Sequence, residues 1–312
     1  MNTRDLLKKL FFPIVAIVRT YRTYKVGIRI KQWRNIVLDG ELLVKMDKPN
    51  GKFYVDARSH LINGALNGAH EIETINLIHK LKLKDGIIVN IGANIGFYAI
   101  ELSNIFPNKK ILAIEPNPEA FSLLVKNINI NNLSNNIEAI NVCISNINEI
   151  VPFSIIPGKS EYSSINGIVM ETVKNEKQTI IDVESKLLGD IVSGKKVSLI
   201  FMDVEGAEKM VLDGCLDLIL KDKPIIICEC SNLLLKKFKS SSLDLINTLE
   251  KLNYKINPFK SFTGERSVKR KDILPILGKM KNSKFGIETL INLYFQATGK
   301  IVKYVLPEMS DC

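Results

Sequence analysis

This chain has 312 residues, of which 46% are hydrophobic and 24% are charged. Such a composition is ordinary for a globular protein, and the length is ample for a large buried core. The five cysteines are scattered, which argues against a disulfide framework and fits a reducing compartment.

The formal net charge of +10 is concentrated at the two ends of the chain. Residues 1–34 and residues 255–303 each carry a net charge of +8, whereas residues 35–254 carry −4. An enzyme that acts on nucleic acid more often carries its positive charge around the site itself. The charge distribution therefore predicts that nucleic acid is not a partner.

The first element of the chain is a basic, partly apolar lead over residues 1–35. Its apolar run, Leu10–Val18, is far shorter than the ~20 residues that span a bilayer, and no small-residue cleavage site follows it. Residues 1–34 suit an interfacial helix on an anionic membrane surface, and they equally suit a helix packed on the domain. We therefore predict a cytoplasmic protein, either free or peripheral on the inner face of the membrane.

The main part of the chain, residues 36–258, is predicted to form one α/β domain, and residues 259–312 form a basic C-terminal extension. Residues 36–62 resemble short strands with a turn at Pro49–Gly51. Residues 69–82 have the apolar periodicity of a helix.

Strands and helices then alternate along the chain. Strands are predicted over 86–91, 110–115, 137–144, 197–202, 224–229 and 254–256, and helices over 95–105, from Pro118, over 207–219 and over 241–252. The region 146–185 reads as polar and irregular. This alternation predicts an α/β fold with a doubly wound, mostly parallel sheet.

The turn at Gly92–Gly96 is the strongest functional signal. It joins a buried strand to a helix, which brings backbone N–H groups close to a ligand. Asn94 and Phe97 stand where the dinucleotide fingerprint has its second and third glycines, so close approach of a pyrophosphate is harder. S-adenosylmethionine, which has no phosphates, fits better. The alternative is an ordinary strand-to-helix turn.

Acidic residues follow three of the predicted strands. Glu115, about 20 residues after the glycine turn, is placed to bind the two hydroxyls of a ribose. Asp203, Glu205 and Glu229 are left to face a substrate cleft. We predict that Asp203 is the catalytic base, with Glu229 as the second candidate. Glu208, in the first turn of a helix, is assigned to the helix dipole. Three nearby carboxylates are able to bind a metal, but no metal is predicted.

Taken together, these motifs resemble the FkbM-type methyltransferases. The resemblance covers about residues 55–258 and rests on five segments: Val89–Gly96, Glu115–Pro118, Tyr162–Ser164, Asp203–Glu208 and Pro224–Glu229. It implies a Rossmann-like class I methyltransferase domain over residues 36–258. It also implies methyl transfer from S-adenosylmethionine to a hydroxyl oxygen of a sugar, glycan or secondary metabolite.

The resemblance also assigns the cofactor contacts. Gly92, Ala93, Asn94 and Gly96 are implied to line the methionine end, Glu115 to bind the ribose, Asn117 to lie by the adenosine, and Val142 with Cys143 to flank the adenine. Asn90 is also assigned to the cofactor site, although it departs from the family pattern, which usually has Asp. An amide forms hydrogen bonds, but it cannot pair as an anion with the ammonium of the cofactor.

Two other functions remain open from the sequence. One is an NAD-dependent oxidoreductase with a variant nucleotide turn, and the other is a non-catalytic, membrane-associated scaffold of the same fold. The acceptor is not readable, although residues 146–185 and 264–312 are expected to shape its pocket.

Overall fold

The computed structural model describes residues 40–259, apart from 166, 168–172 and 174, together with residues 302–306. The basic lead over residues 1–35, with its predicted membrane contact, lies outside the described residues. Most of the predicted extension over residues 259–312 does so too. Within the described part of the chain, no helix combines the length and apolarity that crossing a bilayer requires.

The described elements alternate much as the sequence predicts. The strands are β1 Glu41–Asp47, β2 Asn50–Asp56, β3 Ile87–Ile91, β4 Ile111–Ile114, β5 Ile137–Ile140, β6 Cys143–Ile144, β7 Ile150–Ile155, β8 Ser164–Ile165, β9 Thr179–Lys186, β10 Val197–Met202, β11 Ile225–Cys230, β12 Asn257–Phe259 and β13 Val302–Leu306. The helices are α1 Leu61–Leu66, α2 Ile72–Ile78, α3 Phe97–Ile105, α4 Pro118–Ile130, α5 Leu188–Val192, α6 Glu208–Asp213, α7 Leu216–Asp222, α8 Asn232–Leu235 and α9 Ser242–Lys251. Short 3-10 turns occupy Ser160–Tyr162 and Lys236–Phe238.

A seven-stranded sheet forms the centre of the domain, in the order β12-β13-β11-β10-β3-β4-β5. The pairs from β11 to β5 are parallel, and β13 pairs antiparallel with both β11 and β12. Apart from Asn90 in β3 and Ser198 in β10, the central strands consist of β-branched and other apolar residues because both faces of the sheet are covered. The doubly wound, mostly parallel α/β fold is therefore confirmed.

Two hydrophobic cores lie on opposite faces of this sheet. On one face Val89, Ile91 and their neighbours pack against α5, α6, α7 and α9. On the other face Ile88, Phe201 and their neighbours pack against α1 to α4 and the β1–β2 hairpin. All parallel strands end at one edge of the sheet, which is where an open α/β sheet binds its ligand.

The β1–β2 hairpin lies close to the predicted position, but its turn differs. The strands pair from Glu41↔Asp56 to Asp47↔Asn50, so the turn is Lys48–Pro49 and Asn50 belongs to β2. The buried Asn127 of α4 fixes the hairpin, because its amide both accepts from Tyr54 N–H at 2.6 Å and donates to Tyr54 C=O at 3.1 Å.

A second, smaller sheet contradicts the prediction of an irregular region over residues 146–185. Its order is β6-β9-β7-β8, and its apolar face includes Val151, Phe153, Ile155 and Val183. The alternation of Val151, Phe153 and Ile155 is the strand signal that the polar surroundings obscured. The predicted strand 137–144 is also wrong as one element, because it divides into β5 of the central sheet and β6 of the small sheet.

Two further predictions are wrong near the end of the domain. The predicted helix 207–219 is two helices, α6 and α7, because the backbone of the loop after β6 approaches the chain at Gly214. A Cβ at Gly214 would lie 2.1 Å from the carbonyl oxygen of Ser145. Residues 254–256, predicted to be a strand, do not pair with the sheet. The strand β12 begins instead at Asn257, three residues after the predicted start.

Candidate active site

A cavity of about 240 Å³ opens at the carboxyl ends of β3, β4, β10 and β11. Most of the predicted site residues line it: Gly92, Ala93, Asn94, Glu115, Cys143, Asp203 and Glu229. Chain segments that lie far apart in sequence thus converge on one space, as expected at the edge of a parallel sheet.

Gly92 occupies a position that no other residue fits. Its φ of +75° lies in the left-handed region, and a Cβ there would lie 2.0 Å from the backbone oxygen of Asp203. The Asp203 N–H in turn donates to Ile91 C=O at 3.1 Å. The ends of β3 and β10 therefore touch, which brings the glycine turn and the predicted base to the same wall of the cavity.

Four N–H groups of the glycine turn are bonded within the protein instead of facing a ligand, contrary to the expectation from sequence. Gly92 and Ala93 N–H both donate to Ile114 C=O at 2.9 Å, and Asn94 N–H donates to Glu115 Oε2 at 2.8 Å. Gly96 N–H donates to Ala93 C=O at 2.9 Å. Because these donors are already bonded, the turn is poorly suited to binding a pyrophosphate. This feature favours a cofactor without phosphates.

Glu115 is buried at the end of β4 and is held by two backbone donors. Its Oε1 accepts from Asn117 N–H at 2.9 Å, and its Oε2 accepts from Asn94 N–H at 2.8 Å. Burial raises the pKa of Glu115 to about 7, and the two backbone bonds oppose that rise. Each carboxylate oxygen has a second lone pair, which suits it to accept from a pair of ribose hydroxyls.

The remaining predicted cofactor residues lie behind the cavity wall. Asn117 caps α4, accepting from Glu119 N–H at 2.9 Å, and its amide donates to Ser163 Oγ at 2.8 Å. Gly96 begins α3, where a Cβ would lie 2.7 Å from Leu124. These two positions support the site rather than line it.

Asn90 is fully buried within β3 and does not line the cavity. Neither atom of its amide has a hydrogen-bond partner among the described residues. A buried amide without hydrogen bonds costs free energy. Asn90 is therefore able to form a further hydrogen bond near the candidate ligand site. As a neutral group it supplies no charge to the cavity.

One wall of the cavity is apolar. Val142, Ile144, Phe153 and Ile165 line it together with Cys143. Burial raises the pKa of the Cys143 thiol to about 12, and the charge of Glu115 contributes to the rise. Cys143 therefore remains a neutral, polarizable wall residue, which suits contact with a flat aromatic ring such as adenine.

The part of the cavity at the ends of β10 and β11 is acidic. Carboxylate oxygens of Asp203, Glu205 and Glu229 lie within 4.8 Å of one another, close enough to share one divalent cation. Glu205 has a φ of +53°, and Gly206, with a φ of +104°, follows it. The tight backbone turn thus directs two acids of one loop and the acid of β11 to a common point.

Glu208 fixes this turn through hydrogen bonds to its backbone. Its Oε1 accepts from Gly206 N–H at 3.3 Å and from Val204 N–H at 3.4 Å. Burial raises the pKa of Glu208 to about 7, and the charge of Asp203 also raises it. Glu208 does lie in the first turn of α6, as predicted, but its role in fixing the loop was not visible in the sequence.

The segment from Gly158 to Ile165 forms a wall in the region that the sequence predicted to be irregular. Ser160 Oγ donates to Asn94 Oδ1 at 2.7 Å, and Glu161 accepts from Ser59 Oγ at 2.8 Å. Burial raises the pKa of Glu161, while its hydrogen bonds lower it. The first bond joins this segment to the glycine turn, and the second joins it to the chain before α1. The two sheets therefore share one cavity.

Another group at the cavity was missed entirely. His70, Glu71 and Tyr98 line it, and the Tyr98 hydroxyl donates to Glu71 Oε2. The Tyr98 ring also lies 4.3 Å from the ring of Phe201 on β10, measured between centroids. No spacing in the sequence links an acid before α2 to a tyrosine in α3, so only the fold reveals this group.

Comparison with known proteins matches this chain to one family model and to other methyltransferases. The family model described as the methyltransferase FkbM domain matches residues 90–256. Methyltransferase sdnD of Sordaria araneosa is 31% identical over 153 residues, which cover 41% of this chain and 59% of that protein. Methyltransferase 1 of Beauveria bassiana (strain ARSEF 2860) is 28% identical over 146 residues, which cover 42% of this chain and 58% of that protein.

The chain thus spans just under three fifths of the length of each of these two relatives. Among solved structures, the methyltransferase FkbM from Methylobacillus flagellatus KT aligns with a TM-score of 0.40 and 17% identity. That alignment covers 57% of this chain and 40% of the other.

Proposed function

The chain belongs to the FkbM methyltransferase family, and from this premise we propose that it transfers a methyl group to a hydroxyl oxygen of a sugar, glycan or secondary metabolite. S-adenosylmethionine is the methyl donor that this family implies. One observation carries the proposal. All line one cavity: Glu115 follows β4 on one side of β3, the cluster of Asp203, Glu205 and Glu229 lies at the ends of β10 and β11 on the other side, and the glycine turn follows β3 between them.

The residues present fit this donor. A carboxylate with two backbone-fixed oxygens suits the ribose hydroxyls, and the apolar wall around Cys143 suits adenine. The acids at the other end suit the sulfonium, which is positive. The occupied N–H groups of the glycine turn are compatible with a donor that has no phosphates to bind.

The roles of the protein's own residues follow from this fit. When bound, S-adenosylmethionine supplies an electrophilic methyl group. Glu115 fixes the ribose, and the walls exclude water and align the two reactants, an effect worth roughly 7–11 kcal/mol of the barrier in well-oriented reactions. Asp203 accepts the proton of the acceptor hydroxyl as the oxygen becomes a nucleophile. Glu229 orients that hydroxyl or replaces Asp203 as the base.

The charge of the cavity supports a neutral acceptor. Among the described residues that line it, acids are numerous and neither lysine nor arginine is present. A phosphate-bearing acceptor, such as nucleic acid, would meet repulsion there, because phosphate recognition depends on Lys, Arg and free N–H groups. We therefore keep nucleic acid outside the proposed acceptors.

The test is methyl transfer from methyl-labelled S-adenosylmethionine to a panel of sugars, glycans and small hydroxylated metabolites. For an acceptor that is methylated, Asp203→Asn is expected to lower kcat by about 10²- to 10⁴-fold, the usual contribution of a general base. Binding of S-adenosylhomocysteine should change little. Asp217→Asn, an acid in the first turn of α7, is the matched control.

Two results would contradict this proposal. One is methylation at nitrogen or carbon in every accepted substrate, and the other is an Asp203→Asn enzyme with unchanged kcat. Parallel assays with EDTA and with added Mg²⁺ test the expectation that no metal is needed. Loss of activity in EDTA that Mg²⁺ restores would instead assign Asp203, Glu205 and Glu229 to a metal.

Membrane attachment through residues 1–34 stays a prediction. We propose that this segment brings the enzyme to anionic lipid, where a lipid-linked glycan is one of the acceptors it would meet. Sedimentation with vesicles containing phosphatidylserine should retain the full chain and lose a variant lacking residues 1–34. Equal sedimentation of both would exclude the attachment.

A further inference from the structure

The carboxylate of Glu71 is fixed at the cavity wall by an unusual local geometry. Glu71 has left-handed backbone angles, φ 42° and ψ 54°, which are uncommon for a residue with a side chain. It stands at the N-cap position of α2, but its side chain does not cap the helix. Instead Oε2 accepts from the Tyr98 hydroxyl and from Thr74 Oγ1 at 3.3 Å. These two hydrogen bonds hold the carboxylate in one place, and a strained backbone of this kind is common at functional sites.

The position of Glu71 along the cavity follows from Tyr98. Tyr98 lies in the first turn of α3, directly after the glycine turn, and its ring contacts Phe201 of β10. Strand β10 lies on one side of β3, and β4 with Glu115 lies on the other. Glu71 is therefore on the side of the glycine turn that faces away from the ribose site.

That side is where the amino acid end of the donor would lie. Its ammonium needs an anionic or carbonyl partner, and Asn90 at the end of β3, whose amide has a carbonyl oxygen, is buried and absent from the cavity lining. We propose that Glu71, oriented by Tyr98, binds the ammonium group of the donor's amino acid end. This inference rests on the proposed function and adds a binding residue to it. Glu71 acts as a charge-assisted hydrogen-bond acceptor, and no proton or bond is transferred.

The experiment compares two ligands that share one adenosine and differ at the amino acid end. S-adenosylhomocysteine carries the ammonium, whereas 5′-methylthioadenosine has the same adenosine and thioether without the amino acid. Calorimetric titration of the full chain is expected to show that Glu71→Gln weakens S-adenosylhomocysteine binding by about tenfold or more. Binding of 5′-methylthioadenosine, followed by competition, should stay within about twofold because no lost charge pair is involved.

Glu73→Gln is the matched control, since Glu73 lies in the first turn of the same helix and does not line the cavity. It should leave both affinities unchanged. Tyr98→Phe, which keeps the ring and removes the orienting hydroxyl, should cause a smaller loss for S-adenosylhomocysteine alone. If Glu71→Gln does not fold, the affinities of Tyr98→Phe for the two ligands test the inference instead.

The outcomes separate the inference from the proposed function. Unchanged S-adenosylhomocysteine affinity in Glu71→Gln overturns the inference and leaves the ammonium to the Asp203 cluster. An equal loss for both ligands also overturns it, because Glu71 would then only support the fold. If the unmodified chain binds neither ligand, the proposed function itself fails, and the inference fails with it.

Discussion

Glu115 is a buried acid whose ionisation is balanced near neutral pH. Burial raises its pKa to about 7, and the N–H groups of Asn94 and Asn117 limit the rise. A residue that accepts from ribose hydroxyls works best when ionised, because the protonated form has fewer acceptor sites. The proposed ribose site is thus expected to titrate within the physiological range.

This balance predicts a pH-dependent affinity for S-adenosylhomocysteine. Between about pH 6 and pH 8 the carboxyl changes from mostly protonated to mostly ionised, so affinity should rise by about tenfold. Glu115→Gln should bind more weakly at the upper end of this range and show little of the slope. Titration calorimetry across the same range checks both expectations. A slope of equal size in the variant would show that another group titrates.

The burial of Glu208 leads to a separate prediction about the stability of the protein. Its pKa is raised from 4.5 to about 7 in the folded protein, so the folded state holds that proton more tightly than the unfolded state. The stability due to this proton is full below about pH 4.5 and is lost as pH rises through about 7. Glu208→Gln should therefore match the unmodified chain near pH 4.5 and exceed it at about pH 8, by up to about 3 kcal/mol.

Urea unfolding at the two pH values measures this difference. Glu250→Gln, an exposed acid in α9, is the control and should behave like the unmodified chain at both. A Glu208→Gln protein that is less stable at the higher pH would mean that the bonds to Val204 and Gly206 outweigh the buried charge.

The acids at strand ends could be predicted from the sequence, whereas the acids held in place by loop contacts could not. Glu115, Asp203 and Glu229 follow apolar runs, so a parallel sheet had to bring them to one edge. Glu71 and Glu161 precede or follow no such run. Their places at the cavity depend on bonds to Tyr98, Ser59 and other residues distant in sequence, which local patterns do not encode.

At the level of elements, the glycine turn depends on the contact between β3 and β10. Gly92→Ala should destabilise the protein by at least about 2 kcal/mol, because a Cβ would strain the left-handed backbone and collide with Asp203 C=O. Gly189→Ala in α5 is the control, since a Cβ added there would have nothing within 4 Å. Urea unfolding measures both, and an equally small effect at Gly92 would refute the close contact.

The errors in element prediction share a physical origin. Helix 207–219 and strand 137–144 each have continuous apolar periodicity, yet both are interrupted. The chain leaves the central sheet after β5, and the loop at Ser145 then runs against Gly214 between α6 and α7. Periodicity reports which face of an element is buried, but it does not report where another backbone crosses it.

For the molecule as a whole, ligand binding should appear as thermal stabilisation. A ligand at about 100 times its Kd adds about 2.7 kcal/mol to the free energy of unfolding, which corresponds to a rise in Tm of about 5–10 °C for a domain of this size. We expect S-adenosylhomocysteine to produce such a shift in a thermal melt. NAD should produce none, and a shift with NAD alone would favour the oxidoreductase alternative.

The pairing of the glycine turn with β4 has a consequence for turnover. Because Gly92, Ala93 and Asn94 bond to the neighbouring strand end, the turn is ordered when the protein folds and not when a ligand arrives. In the proposed reaction, the fresh donor and the spent donor would therefore meet the same strand ends. Exchange of spent for fresh donor is thereby left to the surrounding side chains, without any rebuilding of the strand ends.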